Sequence, residues 1–420
     1  MMREPRKRSG EQGYSLLTVM LLVFGMFIIG SGFFSLVGYE VRSSQASLDS
    51  QRAFSLAQGA NERALRYLTT LHSPPTSDFF IFQDIPGVNG GTYTVHCAVD
   101  TTDLWVDEKA FVLEGVGRSN GVERRVRQWV SMTSFAQYAM FTGEETFNGN
   151  PIWFVTGDVV EGRLHTNGTF HIAGTPVFRD RISSAADHMV ANPRRNVYDM
   201  DDWPINGNNP TFGDGIDLEA PYIPMPTDLP DLKQQGMFDG VYTPVATDIE
   251  LGVRGETAAV NAPGWLRYRA HGNATAEWIS VEIATLEEGV FYSDGNVHIE
   301  GVLDGELTVA SAQDIRIEDN ILYEGSDASG RPAADCDDLL GLVAEQNVIF
   351  VDNPANRNDL IVDGILMALD TSIMVENYRT GPPRGALTIW GGLIQQFRGP
   401  VGMFRSRVPI HGYSKDYRYD

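Results

Sequence analysis

The sequence predicts an α+β, mainly β protein: a long N-terminal helix, transmembrane and then amphipathic, an antiparallel sheet, and a β-solenoid (β-helix-like) domain broken by a long excursion. Three observations predict it. No charged residue falls between Glu11 and Glu40. The alternating runs TYTVHCAV, KAFVLEGVG and RRVRQWVSM follow before residue 135. Beyond that point one short phrase recurs, first as HTNGTFHIAG from His165 and again as YSDGNVHIEG closing at Gly301.

The uncharged stretch justifies the helix. Its 28 residues, Gln12 to Tyr39, make about 42 Å of helix at ~1.5 Å per residue, more than a hydrocarbon core of ~30 Å requires. A secretory signal peptide has only ~7–15 apolar residues, with its cleavage site on the far side. Before the stretch stand Arg3, Arg6, Lys7 and Arg8 against Glu4 and Glu11. Positive charge beside a spanning helix stays cytoplasmic, so the chain is expected to cross the inner (cytoplasmic) membrane once, with its C-terminal bulk extracytoplasmic. No proline occurs between Tyr14 and Ser73, and the helix is expected to run to about Leu71. Ala53, Ala57, Ala60, Ala64 and Leu68 form a narrow apolar stripe on it. Ser31 and Ser35 repeat the small-xxx-small spacing that lets apolar helices approach closely.

A basic leader ending at Gly13, then Tyr14, then a retained apolar helix resembles the type III signal of type IV pilins and pseudopilins. The resemblance implies cleavage by a prepilin peptidase after Gly13 and N-methylation of Tyr14. It also implies partnership with other pilin subunits and with an inner-membrane assembly machinery. RAFSLAQGANERAL resembles the helix of PilX-type minor pilins. Two departures stand out. Tyr14 replaces the commoner Phe, and Thr18 occupies the fifth mature position, where most pilins carry Glu. A carboxylate there costs ~2.5–3.5 kcal/mol in lipid and is kept where a neighbouring subunit's amine compensates it. Thr18 cannot supply that charge, and the resemblance then implies a minor subunit, with Thr18, Ser31 and Ser35 at the filament-packing surface. The alternative is a plain signal anchor in which Thr18 bonds its own helix.

Composition narrows the function. The 420 residues carry a net charge of −23, and removing residues 1–13 makes the balance more negative. Nucleic acid requires a basic surface and is excluded as a partner. With 43 Gly and 21 Pro, the chain suits a turn-rich β protein. Cys97 and Cys336 lie on the side where disulfides form. A buried Cys97 thiol in its alternating strand and a Cys97–Cys336 bridge are the two readings.

After the helix, the runs around Ser119-Asn120-Gly121 read as a β-hairpin, completing an antiparallel unit over residues 73–135. The expected divisions are 1–13 (leader), 14–72 (helix), 73–135 (sheet) and 136–420 (solenoid-like), with the excursion at about 179–280. Further copies of the phrase begin at Leu307, Leu340, Ile365 and Leu387. Short strands repeated in this way read as stacked parallel coils, since one coil alone cannot bury its apolar face. An antiparallel sandwich is the competing architecture. LHTNGTFHIAGTPVF, GLVAEQNVIF, GALTIWGGLIQQFRGPVG and GYSKDYRYD resemble a bacterial domain family of unassigned function that often follows pilin-like N-termini.

Catalysis is not expected. No GxSxG, HExxH or P-loop is present. Asp294, Glu300, Asp304, Glu318 and Asp319 could supply a carboxylate pair on adjacent coils, yet acids at turns are expected in a chain with 55 of them. His165, His171 and His298 read as structural or surface residues. No cofactor and no metal is expected; Asp199, Asp201, Asp202, Asp214 and Asp217 are weak calcium candidates without an EF-hand pattern. The expectation is a minor pilin or pseudopilin that primes assembly or caps a periplasmic or extracellular filament. The alternative is a membrane-anchored β-helix protein acting as adhesin or scaffold, or a polysaccharide-degrading enzyme.

Overall fold

The computed structural model describes residues 12–69, 71, 75, 77–87, 90–100, 109–132, 135–253, 264–273, 275–287, 289–405 and 408–419. The chain separates into two compact units, Met1–Ser134 and Phe135–Asp420.

The first unit begins with α1 (Gln12–Leu68), an unbroken helix of 57 residues. Among the described residues it alone is long and apolar enough to cross a membrane. Its apolar side chains from Leu16 to Val41 are exposed, Phe27 at 76% and Phe34 at 79%. From Ala53 onward the helix is packed instead, and Ala53, Ala57, Ala60, Ala64 and Leu68 are buried. They face an antiparallel sheet of β1 (Phe79–Pro86), β2 (Thr92–Asp100), β3 (Lys109–Ser119) and β4 (Val122–Met132), paired in chain order. Asn120 and Gly121, at φ 44° and 83°, supply the two left-handed positions that a two-residue hairpin between β3 and β4 requires. The alanines approach so closely because β3 presents glycine. A methyl group on Gly117 would overlap the Ala53 carbonyl oxygen, and one on Gly115 would overlap the Asn61 side chain. The helix ends at Leu68, and the expected break at Ser73-Pro74-Pro75 falls largely outside the described residues.

The second unit is mainly β and mostly parallel. Its strands are short because each leaves one sheet through a tight turn and enters the next. Leu164–Thr166 pairs with Met140–Glu144 on one side and Ile182–Ser184 on the other, both parallel. Val290–Ser293, Glu306–Ser311, Leu339–Ala344, Ile365–Ala368 and Leu393–Phe397 likewise lie side by side in parallel. Inward-facing residues of the stacked strands form one continuous core that includes Leu164, Phe178, Ile299, Leu342 and Val362.

The recurring phrase has a physical basis at the turn. Thr166, Ser184, Ser293 and Ser311 are buried, and each hydroxyl accepts the N–H two residues on, as Gly168 N–H to Thr166 (3.1 Å) and Gly295 N–H to Ser293 (3.2 Å). Ser184 and Ser311 also donate to the carbonyls of Gly168 and Gly295 (2.7 and 2.9 Å). The stacked hydroxyls thus satisfy backbone groups that a turn leaves open.

The order of stacking differs from chain order. The chain enters at Met140–Glu144, in the middle, and builds outward to Ile216–Asp217 at one end. It then resumes at the opposite end with Val241–Thr243 and builds back until Leu393–Phe397 closes on Met140–Glu144. Much of the expected excursion at 179–280 is therefore inside the sheets: Ile182–Ser184, Met189–Ala191, Thr211–Phe212, Ile216–Asp217, Val241–Thr243 and Thr247–Val253 are all strands. What remains between the two halves is residues 218–240, carrying the short helix Pro230–Phe238.

Two buried ion pairs lie at this closure. Arg398 donates to Glu145 (2.9 Å), both with side chains at most 3% exposed, and Lys415 donates to Asp158 (2.9 Å). A third buried acid, Asp363, has no cation partner among the described residues: it accepts from Tyr323 N–H and Ser326 Oγ (both 2.9 Å). Burial pushes its carboxyl up to about 6. Between about pH 4 and 6 the folded chain holds a proton that the unfolded chain has released. Stability from this group is full below that window and falls as pH rises through it. Asp363→Asn is expected to lower the urea midpoint at pH 4.5 relative to that at pH 7.5; identical pH profiles for parent and variant would show that Asp363 does not contribute.

Candidate functional site

Gly13 and Tyr14 lie within α1, and the leader before Gln12 falls outside the described residues. Thr18, Ser31 and Ser35 are exposed on the bare part of the helix. The Ser31 hydroxyl donates to Ile28 O in its own helix (2.9 Å), which satisfies it without water.

Cys97 and Cys336 are free thiols. Cys97 is fully buried on β2 in the first unit's core, and Cys336 packs on the core of the second. Burial pushes both thiols up, away from reactive thiolate character. The calcium candidates do not gather into a metal-binding group among the described residues. Asp199 caps the turn Met200–Asp202 by accepting from Asp201 N–H, Asp202 accepts from Tyr198 N–H, and Asp217 is held by Arg181 through two bonds of 2.6 and 2.7 Å.

Of the carboxylates considered for catalysis, Asp294 and Asp304 stand apart from the rest. Asp294 is bound by Lys233 (2.5 Å) and Tyr242, which hold its carboxyl below the usual range. The Asp304 charge raises the Glu324 carboxyl instead. Glu300 and Glu318 come together, because three strands carry the same tetrapeptide pattern: TDIE from Thr247, VHIE from Val297 and IRIE from Ile315. In register, Asp248 lies opposite His298 and Glu250 opposite Glu300, while His298 lies opposite Arg316. Alternation buries Ile249, Ile299 and Ile317 and turns the polar residues to the other face.

A hairpin completes this face. The strand Gly264–Ala270 returns antiparallel along Thr247–Val253, placing Arg269 opposite Asp248 and Arg267 opposite Glu250. Just past its end, His271 Nδ1 lies 2.5 Å from Asp248 Oδ1, and its ring stacks on His298 with centroids 3.7 Å apart and planes 4° off parallel. His298 Nδ1 is 2.7 Å from Glu318 Oε1, and this bond is the main cause of the lowered Glu318 carboxyl. One donor atom from each of Asp248, His271 and His298 lies within 4.8 Å of the others. Glu300 is raised, by burial first and then by the charges of Asp319, Glu250, Glu318 and Asp248.

Of the three histidines considered from sequence, only His298 joins this cluster. His165 is buried, bonded to Ser183 (2.8 Å) and Asn167 (3.1 Å) and stacked on Phe141. His171 packs edge-on against Trp153, and burial holds it below the usual imidazole range. His271 and Asp248 were not singled out from the sequence. The signal for Asp248 was the TDIE, VHIE and IRIE alignment; no local pattern marks His271, which arrives by the hairpin.

A family model described as a domain of unknown function (DUF4900) matches residues 111–186. The match includes LHTNGTFHIAGTPVF and stops before the later phrases. No curated protein matches the chain. Among solved structures, the competence-associated pilin ComZ from Thermus thermophilus is similar at 14% identity and a TM-score of 0.30, covering 88% of this chain and 91% of that one. At that TM-score the likeness carries no argument.

Proposed function

We propose that this protein is a minor pilin or pseudopilin, a structural subunit of a type IV pilus or a type II secretion-like filament. One observation carries the reading: a single helix is bare and apolar from Leu16 to Tyr39, yet packed by its alanine stripe on an antiparallel sheet from Ala53 to Leu68. A bare apolar half is suited first to lipid and then to a bundle of similar helices, so transfer between them need not expose it to water. The stacked strands of the second unit are read as a β-solenoid carried outward at the filament tip or used to prime assembly. A second unit of this size suits a minor subunit better than a shaft subunit. In this reading prepilin peptidase cuts after Gly13, Tyr14 is N-methylated, the helix is of the PilX type, and the partners are other subunits and the inner-membrane assembly machinery. The role is structural and not enzymatic.

Mass spectrometry of the membrane-extracted protein tests the reading. The expected N-terminus is Tyr14, heavier by one methyl group. A chain that retains Met1 or Arg3 removes the pilin assignment and leaves a permanently anchored envelope protein.

A further inference from the structure

We propose that Asp248, His271 and His298 form a site for one divalent transition-metal ion of the zinc class, with Glu318 positioning His298. Three independent features converge on it. The first is the ligand set: two imidazoles and a carboxylate brought within 4.8 Å by two neighbouring strands and the turn that follows a third. Nitrogen donors select zinc-like ions over calcium and magnesium, which take oxygen ligands.

The second is the support behind one ring. His298 is held at Nδ1 by Glu318, a carboxylate outside the ligand set, whereas the His271 Nδ1 contact is to the ligand Asp248 itself. Contacts of the Glu318 kind fix ring orientation and raise ligand basicity at metal sites. Asn353 in turn donates to Glu318 (2.9 Å), so the positioning carboxylate is itself held.

The third is uncompensated charge. Asp248, Glu250, Glu300, Glu318 and Asp319 all act on this face. Arg267 is engaged by Glu250, Arg269 by Asp248, and Arg316 by Glu376 from a further strand. Among the described residues Glu300 has no ion-pair partner, although it sits opposite Glu250 in the register. Like charges directly opposite are destabilising, and a divalent cation would offset them.

The stacked rings state what binding must change. Two parallel imidazoles cannot both direct in-plane lone pairs at one ion, so loading must splay them. His271 is exposed on a turn and can rotate without disturbing the core. Tetrahedral bonds of ~2.0–2.2 Å place donor atoms roughly 3.3 Å apart, a contraction of about 1.5 Å or less from the present spread. The ion would take the place of the proton between His271 and Asp248.

The test uses the full chain in detergent after chelator treatment, titrated with Zn2+ and, for its visible absorption, with Co2+. The expected result is one more equivalent of Zn2+ in the parent than in a His271→Ala, His298→Ala double variant, with a Co2+ absorption band present only in the parent. His271→Ala alone, at an exposed position, carries the same comparison if the double variant does not fold. Glu318→Gln should weaken binding by roughly 10–100-fold without abolishing it. Equal Zn2+ stoichiometry in parent and His271→Ala, or displacement of Zn2+ by equimolar Ca2+, would overturn the assignment.

Discussion

Arg398→Met is expected to destabilise the second unit by about 3–5 kcal/mol, the usual cost of leaving one partner of a buried ion pair alone. The Glu145 side chain is fully buried, and its other oxygen accepts from Thr142, so loss of the guanidinium leaves a charge without water to solvate it. Arg398 also lies 3.6 Å above the Phe154 ring and its N–H bonds Glu144 O (3.0 Å), which ties the last strands of the stack to the first. Urea unfolding followed by near-UV circular dichroism would measure the loss. A Glu145→Gln, Arg398→Met double variant should recover a large part of it, because replacing a buried pair costs far less than breaking one. A single-variant loss below about 1 kcal/mol would mean that the closure is held by apolar packing alone. The pair joins residues 253 apart in the chain, so its role is to specify which strand closes on which.

The second large effect is expected at Gly117. Valine there would drive a side chain into the Ala53 backbone, with Ala57 N also within 3.0 Å of the first carbon added. Neither backbone atom can yield without moving α1 off β3. Overpacking of this kind costs about 3 kcal/mol or more. Limited proteolysis should release fragments from the first unit, while the second unit keeps its own unfolding transition. Gly59 is the matched control. It lies in the same helix with nothing within 4 Å of an added methyl, so Gly59→Ala should stabilise the unit by about 0.5–1 kcal/mol. Equal effects at Gly117 and Gly59 would show that the close approach of helix and sheet does not matter to stability.

These two sites also mark how far sequence reasoning reached. The alanine stripe was legible because helical periodicity states which residues share a face. The glycines it packs on were not, since Gly115 and Gly117 sit in an ordinary alternating run. The turn phrase was legible as a repeat, and the buried hydroxyls explain why serine or threonine precedes the turn. The histidine cluster was half legible. His298 stands in the repeated phrase, but its neighbour His271 comes from a return strand that follows no repeat.

Local chemistry by itself determined the long apolar helix, the Asn120-Gly121 hairpin, the inward and outward faces of each strand, and the fact that the strands recur. Tertiary structure alone decided which strands are neighbours. The chain begins in the middle of its own stack, grows to one end, restarts at the other and closes on its first strand, bringing Glu145 to Arg398 and Asp248 to His298. Periodicity fixes the face of a residue but is silent on its partner. Partners are chosen by the joint burial of residues hundreds of positions apart, where a misplaced register would leave buried charges unpaired.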